Sequence, residues 1–221
     1  GTTGETNVQG EVVQKLDVAA NRALLELVGA SGVVCAMASE EEDDVVARDG
    51  GSLVVLFDPL DGSSNIDVGV SIGTIFGVHR RVTPQGPGRA EDCLQPGVKQ
   101  LAAGYVMYGS STMLVLTTGH GVDGYTLDPR IGEFLLTHPK LSLPARGKTY
   151  SVNEGNRGTW HEHTREWVDW LKESDKATGR PYGLRYVGTL VADFHRTLLK
   201  GGVFAYPADL KSPHGKLRLL Y

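Results

Sequence analysis

Residues 53–67 read LVVLFDPLDGSSNID, and this stretch constrains the fold more than any other. The apolar run Leu53–Leu56 has the length of a buried strand, and it ends on two aspartates, Asp58 and Asp61. Pro59 between them fixes φ and carries no N–H, so ladder pairing is expected to stop there and the chain to leave the sheet. Carboxylates at the carboxyl end of a buried strand lie where α/β folds build their sites. Two like charges this close are unfavourable unless a cation sits between them. Oxygen-only ligands suit hard cations such as Mg²⁺ or Mn²⁺, with the Leu60 carbonyl as an additional donor. Gly62-Ser63-Ser64 then offers backbone N–H groups and hydroxyls, and a helix starting at Ser63 or Ser64 would turn its N-terminus toward an anion. A cation beside an anion pocket describes a phosphoryl-transfer site in physical terms.

Further acids point the same way. Ser39-Glu40-Glu41 follows a short apolar run at Val33–Met37, so its carboxylates could converge on the same sheet edge. Glu42, Asp43 and Asp44 read as a solvated loop. Residues 8–28 put Val12, Val13, Leu16, Ala20, Leu24 and Val28 at helical spacing up to Gly29, and Asp17 lies on that helix. Residues 68–82 are β-rich, and residues 111–137 supply further strands broken by Gly and Asp-Pro. An irregular crossover at 139–149 marks a lobe boundary near residue 140. Two amphipathic helices follow. The first, at 160–172, has Trp160, Thr164, Trp167 and Leu171 on one face; the second, at 187–200, has Val187, Leu190, Val191, Phe194 and Leu198 on one face. This irregular alternation implies a layered α/β to α+β fold with mixed β-sheets and packed helices.

Charge is uneven. Within a chain of 221 residues and net charge −4, residues 179–221 hold seven Lys/Arg against two acids, so the acidic excess lies before them. Such a chain could hold cations with one part and an anion with the other. No basic-aromatic stripe suggests nucleic acid, no apolar stretch is long enough to span a membrane, and no secretory signal is expected at the start. Two cysteines, Cys35 and Cys93, are too few for a disulfide framework and fit a reducing compartment.

A set of segments resembles the class I fructose-1,6-bisphosphatases, in the metal-dependent sugar and inositol phosphatase superfamily. They are NVQGEVVQKLD (7–17), SEE (39–41), FDPLDGSSNIDVGVSIGTIFGV (57–78), LQPGVKQLAAGYVMYGSSTMLVL (94–116), LDPRIGEF (127–134), YSVNEG (150–155), RYVGTLVADFHRTL (185–198) and KSPHGKLRLLY (211–221). D-P-[IL]-D-G-[ST] alone marks the superfamily. NID after DGSS, with NEG and RYVG, is closer to the fructose than to the sedoheptulose enzymes.

The resemblance implies a sugar-phosphatase fold and hydrolysis of fructose 1,6-bisphosphate to fructose 6-phosphate and phosphate, a step of gluconeogenesis in the cytoplasm. A plastid or glycosomal home is the alternative. It implies a lobe at 1–140 with metal-binding carboxylates and a remnant of an AMP site, and a sugar-phosphate lobe at 141–221. Glu40, Glu41, Asp58, Asp61, the Leu60 carbonyl and, in a further loop, Glu11 would hold two or three Mg²⁺ ions, with Mn²⁺ or Zn²⁺ as substitutes. Asp17 and Glu41 would orient and deprotonate the attacking water. Gly62, Ser63 and Ser64 would hold the scissile phosphate, and Asn153, Tyr186, Tyr206 and Lys216 the sugar and the 6-phosphate. Arg185 would reach the adjacent subunit of a homotetramer.

The chain also departs from the family. Arg80 matches an AMP contact, but Ser52 and Leu53 stand where animal enzymes have Lys and Tyr, which argues against AMP inhibition. Asn156 replaces a phosphate-binding tyrosine of some members, and Leu190 a methionine. The family's last metal-binding glutamate would follow RLLY, so the carboxy-terminal lobe is expected to be incomplete here. Three readings stay open: a fructose bisphosphatase, a sedoheptulose-bisphosphatase or inositol-phosphatase relative, and a non-catalytic fragment that binds metal or sugar phosphate.

Overall fold

The computed structural model describes residues 1–6 and 12–215. Its first compact unit runs to Lys140, and its second begins at Leu141.

The first unit opens with an antiparallel pair, β1 (Thr2–Thr6) and β2 (Val12–Gln14), and a helix, α1 (Lys15–Ala30). An eight-stranded sheet follows. Its members are β3 (Val34–Ser39), β4 (Val46–Ala47), β5 (Leu53–Asp61), β6 (Ile72–Arg80), β7 (Gln100–Tyr108), β8 (Thr112–Thr117), β9 (Val122–Asp128) and β10 (Glu133–Leu141). The strand order is β10-β9-β8-β7-β6-β5-β3-β4. β3 and β5 run parallel; β3 with β4, and each neighbour pair from β5 to β9, run antiparallel. The sheet is therefore mixed, as expected.

Every residue of β3 is buried, the pattern of a central strand covered on both faces. On one side, Leu24, Leu25 and Val28 of α1 pack against Val34, Met37 and Phe57. On the other, Cys93 from a short helix, α2 (Ala90–Cys93), packs with Cys35, Ala36, Val54 and Leu56. Both cysteines are free and buried, and burial pushes the Cys93 thiol up to about 11.

Three expectations change here. The helix expected over 8–28 starts at Lys15, because residues 12–14 pair with β1. Leu16, expected on its inner face, is exposed; the buried positions one turn apart are Asp17 and Asn21. β5 does not stop before Pro59. It continues to Asp61 through an irregular register, and the Pro59 carbonyl accepts a hydrogen bond from Thr74 Oγ1 at 2.9 Å.

The second unit centres on a small parallel sheet. β11 (Thr149–Ser151) lies between β12 (Gly183–Leu184) and β13 (Val203–Phe204). Two helices, α3 (Glu162–Lys172) and α4 (Leu190–Lys200), complete it. Tyr150, Val152, Trp160, Val168 and Leu171 form its core. The stripe expected on α4 is corrected: Val191 is buried, but Val187 and Phe194 are exposed, and Asp193, His195 and Thr197 take the inner positions. Asp193 is held there by local bonds, since its carboxylate accepts the N–H groups of Val187 and Gly188.

Candidate active site

The parallel pair β3 and β5 ends in acids. Ser39 of β3 lies beside Phe57 of β5, and Glu40 N donates to the Phe57 carbonyl at 3.1 Å, which brings Glu40 level with Asp58. Asp58 and Asp61 lie three residues apart, and an odd separation on a regular strand puts side chains on opposite faces. The register resolves this. Asp58 pairs with Ile75 and Asp61 with Gly73, so three steps on β5 match two on β6. The extra residue is a β-bulge at Pro59-Leu60, and it returns both carboxylates to one face.

The three acids are almost fully buried: Glu40 and Asp58 are 4% exposed and Asp61 is 3% exposed. Burial raises the Asp58 carboxyl well above the usual carboxylate range. A hydrogen bond with Glu40 and the charges of Glu40 and Asp61 push it the same way, and the Leu60 N–H, 2.9 Å from Asp58 Oδ1, offsets them in part. Asp92, equally buried, behaves in the opposite way. Burial acts to raise it, but the backbone N–H groups of Thr83, Arg89 and Val82 and the Thr83 hydroxyl outweigh that and hold it at about 2. Asp92 is surrounded by donors and Asp58 by acids.

Asp17 is buried on α1, one turn before Asn21, which bonds to Ser39 and Glu42. Glu40, Asp58 and Asp61 act on one another, and the bonds of Asn21 set α1, with Asp17 one turn earlier, against the turn that carries Glu40 and half-buried Glu41. Glu42, expected to be solvated, is half-buried and accepts from Asn21 Nδ2 at 2.7 Å. Gly62 follows in the left-handed conformation, at φ 83°, and Ser63–Asn65 make a single 3₁₀ turn where a helix start was expected. Among the described residues no three His, Cys, Asp or Glu side chains converge as a metal cage, and Glu40 and Asp58 bond to each other. The donor set still fits a hard divalent cation: Glu40, Asp58 and Asp61 are buried oxygen donors that act on one another.

The second unit holds a different kind of site. A cavity of about 430 Å³ is lined by residues that follow the carboxyl ends of its three parallel strands. Val152 and Asn153 come after β11, Tyr186 and Gly188 after β12, and Ala205, Tyr206 and Pro207 after β13. Asn153, Tyr186 and Tyr206, three of the residues expected at the sugar, thus share one hollow with Asn156. Asn153 Oδ1 accepts from Gly155 N at 3.0 Å, which fixes its side chain. Burial and the charge of Asp193 raise the Tyr186 phenol, and its bond to Asn153 offsets them in part. Arg185 is exposed, with its guanidinium on the Leu184 carbonyl, and is not among the residues that line the cavity. Arg80 is exposed and shares a shallow hollow of the first unit with Ser52. Glu11 and Lys216 lie outside the described residues. The positions that sequence reasoning missed are Asn21 and Thr74; both are polar residues in elements that read as core, and spacing carries no sign of their bonds.

Acids gathered at parallel strand ends and a polar cavity in a second unit suit a phosphatase acting on a polar substrate, and comparison with known proteins supplies the family. Residues 1–139 match the sequence signature described as "Fructose-1-6-bisphosphatase, N-terminal domain", and residues 143–221 match its C-terminal domain. A class 1 fructose-1,6-bisphosphatase of Chlorobium phaeobacteroides is 54% identical over 100% of this chain and 68% of its own length. One from Maridesulfovibrio salexigens is 57% identical over the same shares. The fructose-1,6-bisphosphatase of Leishmania major, solved in holo form, superposes with a TM-score of 0.93 at 46% identity, covering 100% of this chain and 69% of its own. The chain belongs to the class 1 fructose-1,6-bisphosphatase family. Divalent-metal dependence is general to that family, and no helix among the described residues is long and apolar enough to cross a membrane.

Proposed function

We propose that the chain hydrolyses the 1-phosphate of fructose 1,6-bisphosphate to fructose 6-phosphate and inorganic phosphate, with water activated by divalent cations. The observation that carries this reading is the bulge that turns Asp58 and Asp61 to one face beside Glu40. Glu40, Glu41, Asp58, Asp61 and the Leu60 carbonyl are assigned as ligands for Mg²⁺, with Mn²⁺ or Zn²⁺ as substitutes. Bound there, the cations neutralise phosphate charge and lower the pKa of the water they carry. Asp17 and Glu41 would orient the attacking water and accept its proton. Gly62, Ser63 and Ser64 hold the scissile phosphate through N–H groups and hydroxyls.

Asn153, Tyr186 and Tyr206 are assigned to the sugar, and Lys216 to the phosphate that does not react. The unit ending at Lys140 is thus read as the metal-binding lobe, and the unit from Leu141 as the sugar-phosphate lobe. Exposed Arg185 is assigned to the neighbouring subunit's site in a homotetramer. Ser52 and Leu53 provide neither the cation nor the phenol of an AMP site, so Arg80 alone is left there and no AMP binding is assigned. The two buried free thiols support a cytoplasmic setting.

The test is phosphate release with Mg²⁺ from fructose 1,6-bisphosphate, sedoheptulose 1,7-bisphosphate and an inositol phosphate, side by side. Fastest turnover of the fructose substrate is expected. A preference for the inositol phosphate would overturn the assignment, and metal binding with no phosphate release from any substrate would favour a non-catalytic role.

A further inference from the structure

Asn21 is the least expected residue at the centre of the first unit. It lies on the inner face of α1, nearly buried, where an apolar side chain would pack at lower cost. Its amide is satisfied at both ends. Nδ2 donates to Glu42 Oε1 at 2.7 Å, and Oδ1 accepts from Ser39 Oγ at 2.7 Å. The orientation of the amide follows from chemistry, because an ionised carboxylate only accepts and so must face the NH₂ group. With its proton given to Asn21, the Ser39 hydroxyl has a lone pair left for the Glu41 N–H, at 3.2 Å. The bonds form one directed chain, from Glu41 N–H through Ser39 to Asn21, and from Asn21 on to Glu42. It spans the two ends of the turn that carries Glu40 and Glu41, and that turn is closed by Glu42 N bonding to the Ser39 carbonyl at 3.3 Å.

Asp17 stands four residues before Asn21, on the same face of the same helix. We infer that Asn21 is a positioning residue that locks the axial placement of α1 against the β3 end. It thereby sets the spacing between the Asp17 carboxylate and the Glu40–Glu41 pair that receives the cations. Apolar packing of Leu24, Leu25 and Val28 holds the helix against the sheet but has no direction along the helix axis; two hydrogen bonds from one amide do. The inference rests on the metal reading proposed above and names a residue that touches neither cation nor substrate.

The test is Mn²⁺ binding, read as the free-ion EPR signal, with the melting temperature recorded in chelator. Asn21→Ala is expected to weaken binding about tenfold, within the range found for residues that orient metal ligands. The charge-conserving exchange Asn21→Asp with Glu42→Gln reverses the donor and acceptor of one bond and keeps the other. It is expected to bring binding back to within about threefold of the original. A residue with a purely structural role would lower the melting temperature of Asn21→Ala and leave its Mn²⁺ affinity unchanged, and that result overturns the inference. So does an exchange pair that binds as poorly as Asn21→Ala. Should Asn21→Ala fail to fold, Ser39→Ala breaks the same chain at its next link and is expected to weaken binding severalfold; unchanged binding there counts against the inference. Asp61→Asn runs alongside. If it loses Mn²⁺ and Asn21→Ala does not, the Asn21 inference alone is wrong. If Asp61→Asn binds as the parent does, the metal reading falls and the inference with it.

Discussion

The two candidate regions share an architecture and oppose each other in chemistry. Each lies at the carboxyl ends of parallel strands: β3 and β5 in the first unit, β11 flanked by β12 and β13 in the second. The first gathers buried acids, and the charges of Glu40 and Asp61 both push the Asp58 carboxyl up. The second gathers two amides and two phenols around open space. Strand ends supply position only, and the side chains placed there decide whether a region performs chemistry or recognition. The acid region should therefore control kcat, and the cavity KM.

The largest expected effect tests that division at its acid end. Asp58→Asn should lower kcat by a factor of about 10³ or more, through loss of charge stabilisation at the reacting centre. The same change should raise the melting temperature of the metal-free protein, because an amide sits beside Glu40 and Asp61 without the proton that the raised Asp58 carboxyl must take up there. A variant that keeps turnover, measured as steady-state phosphate release, would break the comparison.

Asp92 provides the matching control. Its carboxyl is held down at about 2 by hydrogen-bond donors, so it stabilises the fold above the unfolded carboxylate value near 4, and that contribution is lost as pH falls through about 2. Asp92→Asn should cost about 2 kcal/mol in urea unfolding at pH 7 and leave the metal requirement unchanged. Asp58 has the opposite sign. With its folded value raised, it opposes the metal-free fold as pH rises above about 4. If both Asn variants destabilise alike, the contrast between a functional and a structural buried acid is wrong.

At the cavity, Tyr186→Phe removes one hydroxyl, and KM should rise about tenfold with kcat nearly unchanged. A fall in kcat with steady KM would move Tyr186 into the chemical step. The smallest expected effect is Thr74→Val, which removes the bond to the Pro59 carbonyl and the 2.9 Å contact with the Tyr108 hydroxyl. A loss of about 1 kcal/mol in stability is expected, seen as a shift of the urea midpoint.

The sequence made the acid region legible as chemistry and left its geometry hidden. D-P-L-D-G-S announced a cation site, yet Pro59 argued that the strand must end before the second aspartate. In the structure a bulge absorbs the proline, and Thr74, fifteen residues on, caps its carbonyl. Such a partner has no local signature. The α1 periodicity is carried by its apolar residues, whereas the two that matter most at its start, Asp17 and Asn21, are polar, so spacing puts Leu16 inside and gives no sign of Asn21. For the cavity, neither period nor spacing joins Asn153, Tyr186 and Tyr206, which follow separate strands; family resemblance alone groups them. The α4 stripe misled for a similar reason, since Asp193 is drawn inward by the N–H groups of the loop before it.

The central claim is that acids at the ends of β3 and β5 hold divalent cations where a phosphoryl group reacts, beside Asp17 of α1. Anomalous diffraction from crystals soaked with Mn²⁺ and a sugar phosphate tests it most directly. Manganese peaks within about 2.5 Å of carboxylate oxygens of Glu40 or Glu41, Asp58 and Asp61 are predicted. Peaks elsewhere, with these carboxylates bound to no metal, would contradict it.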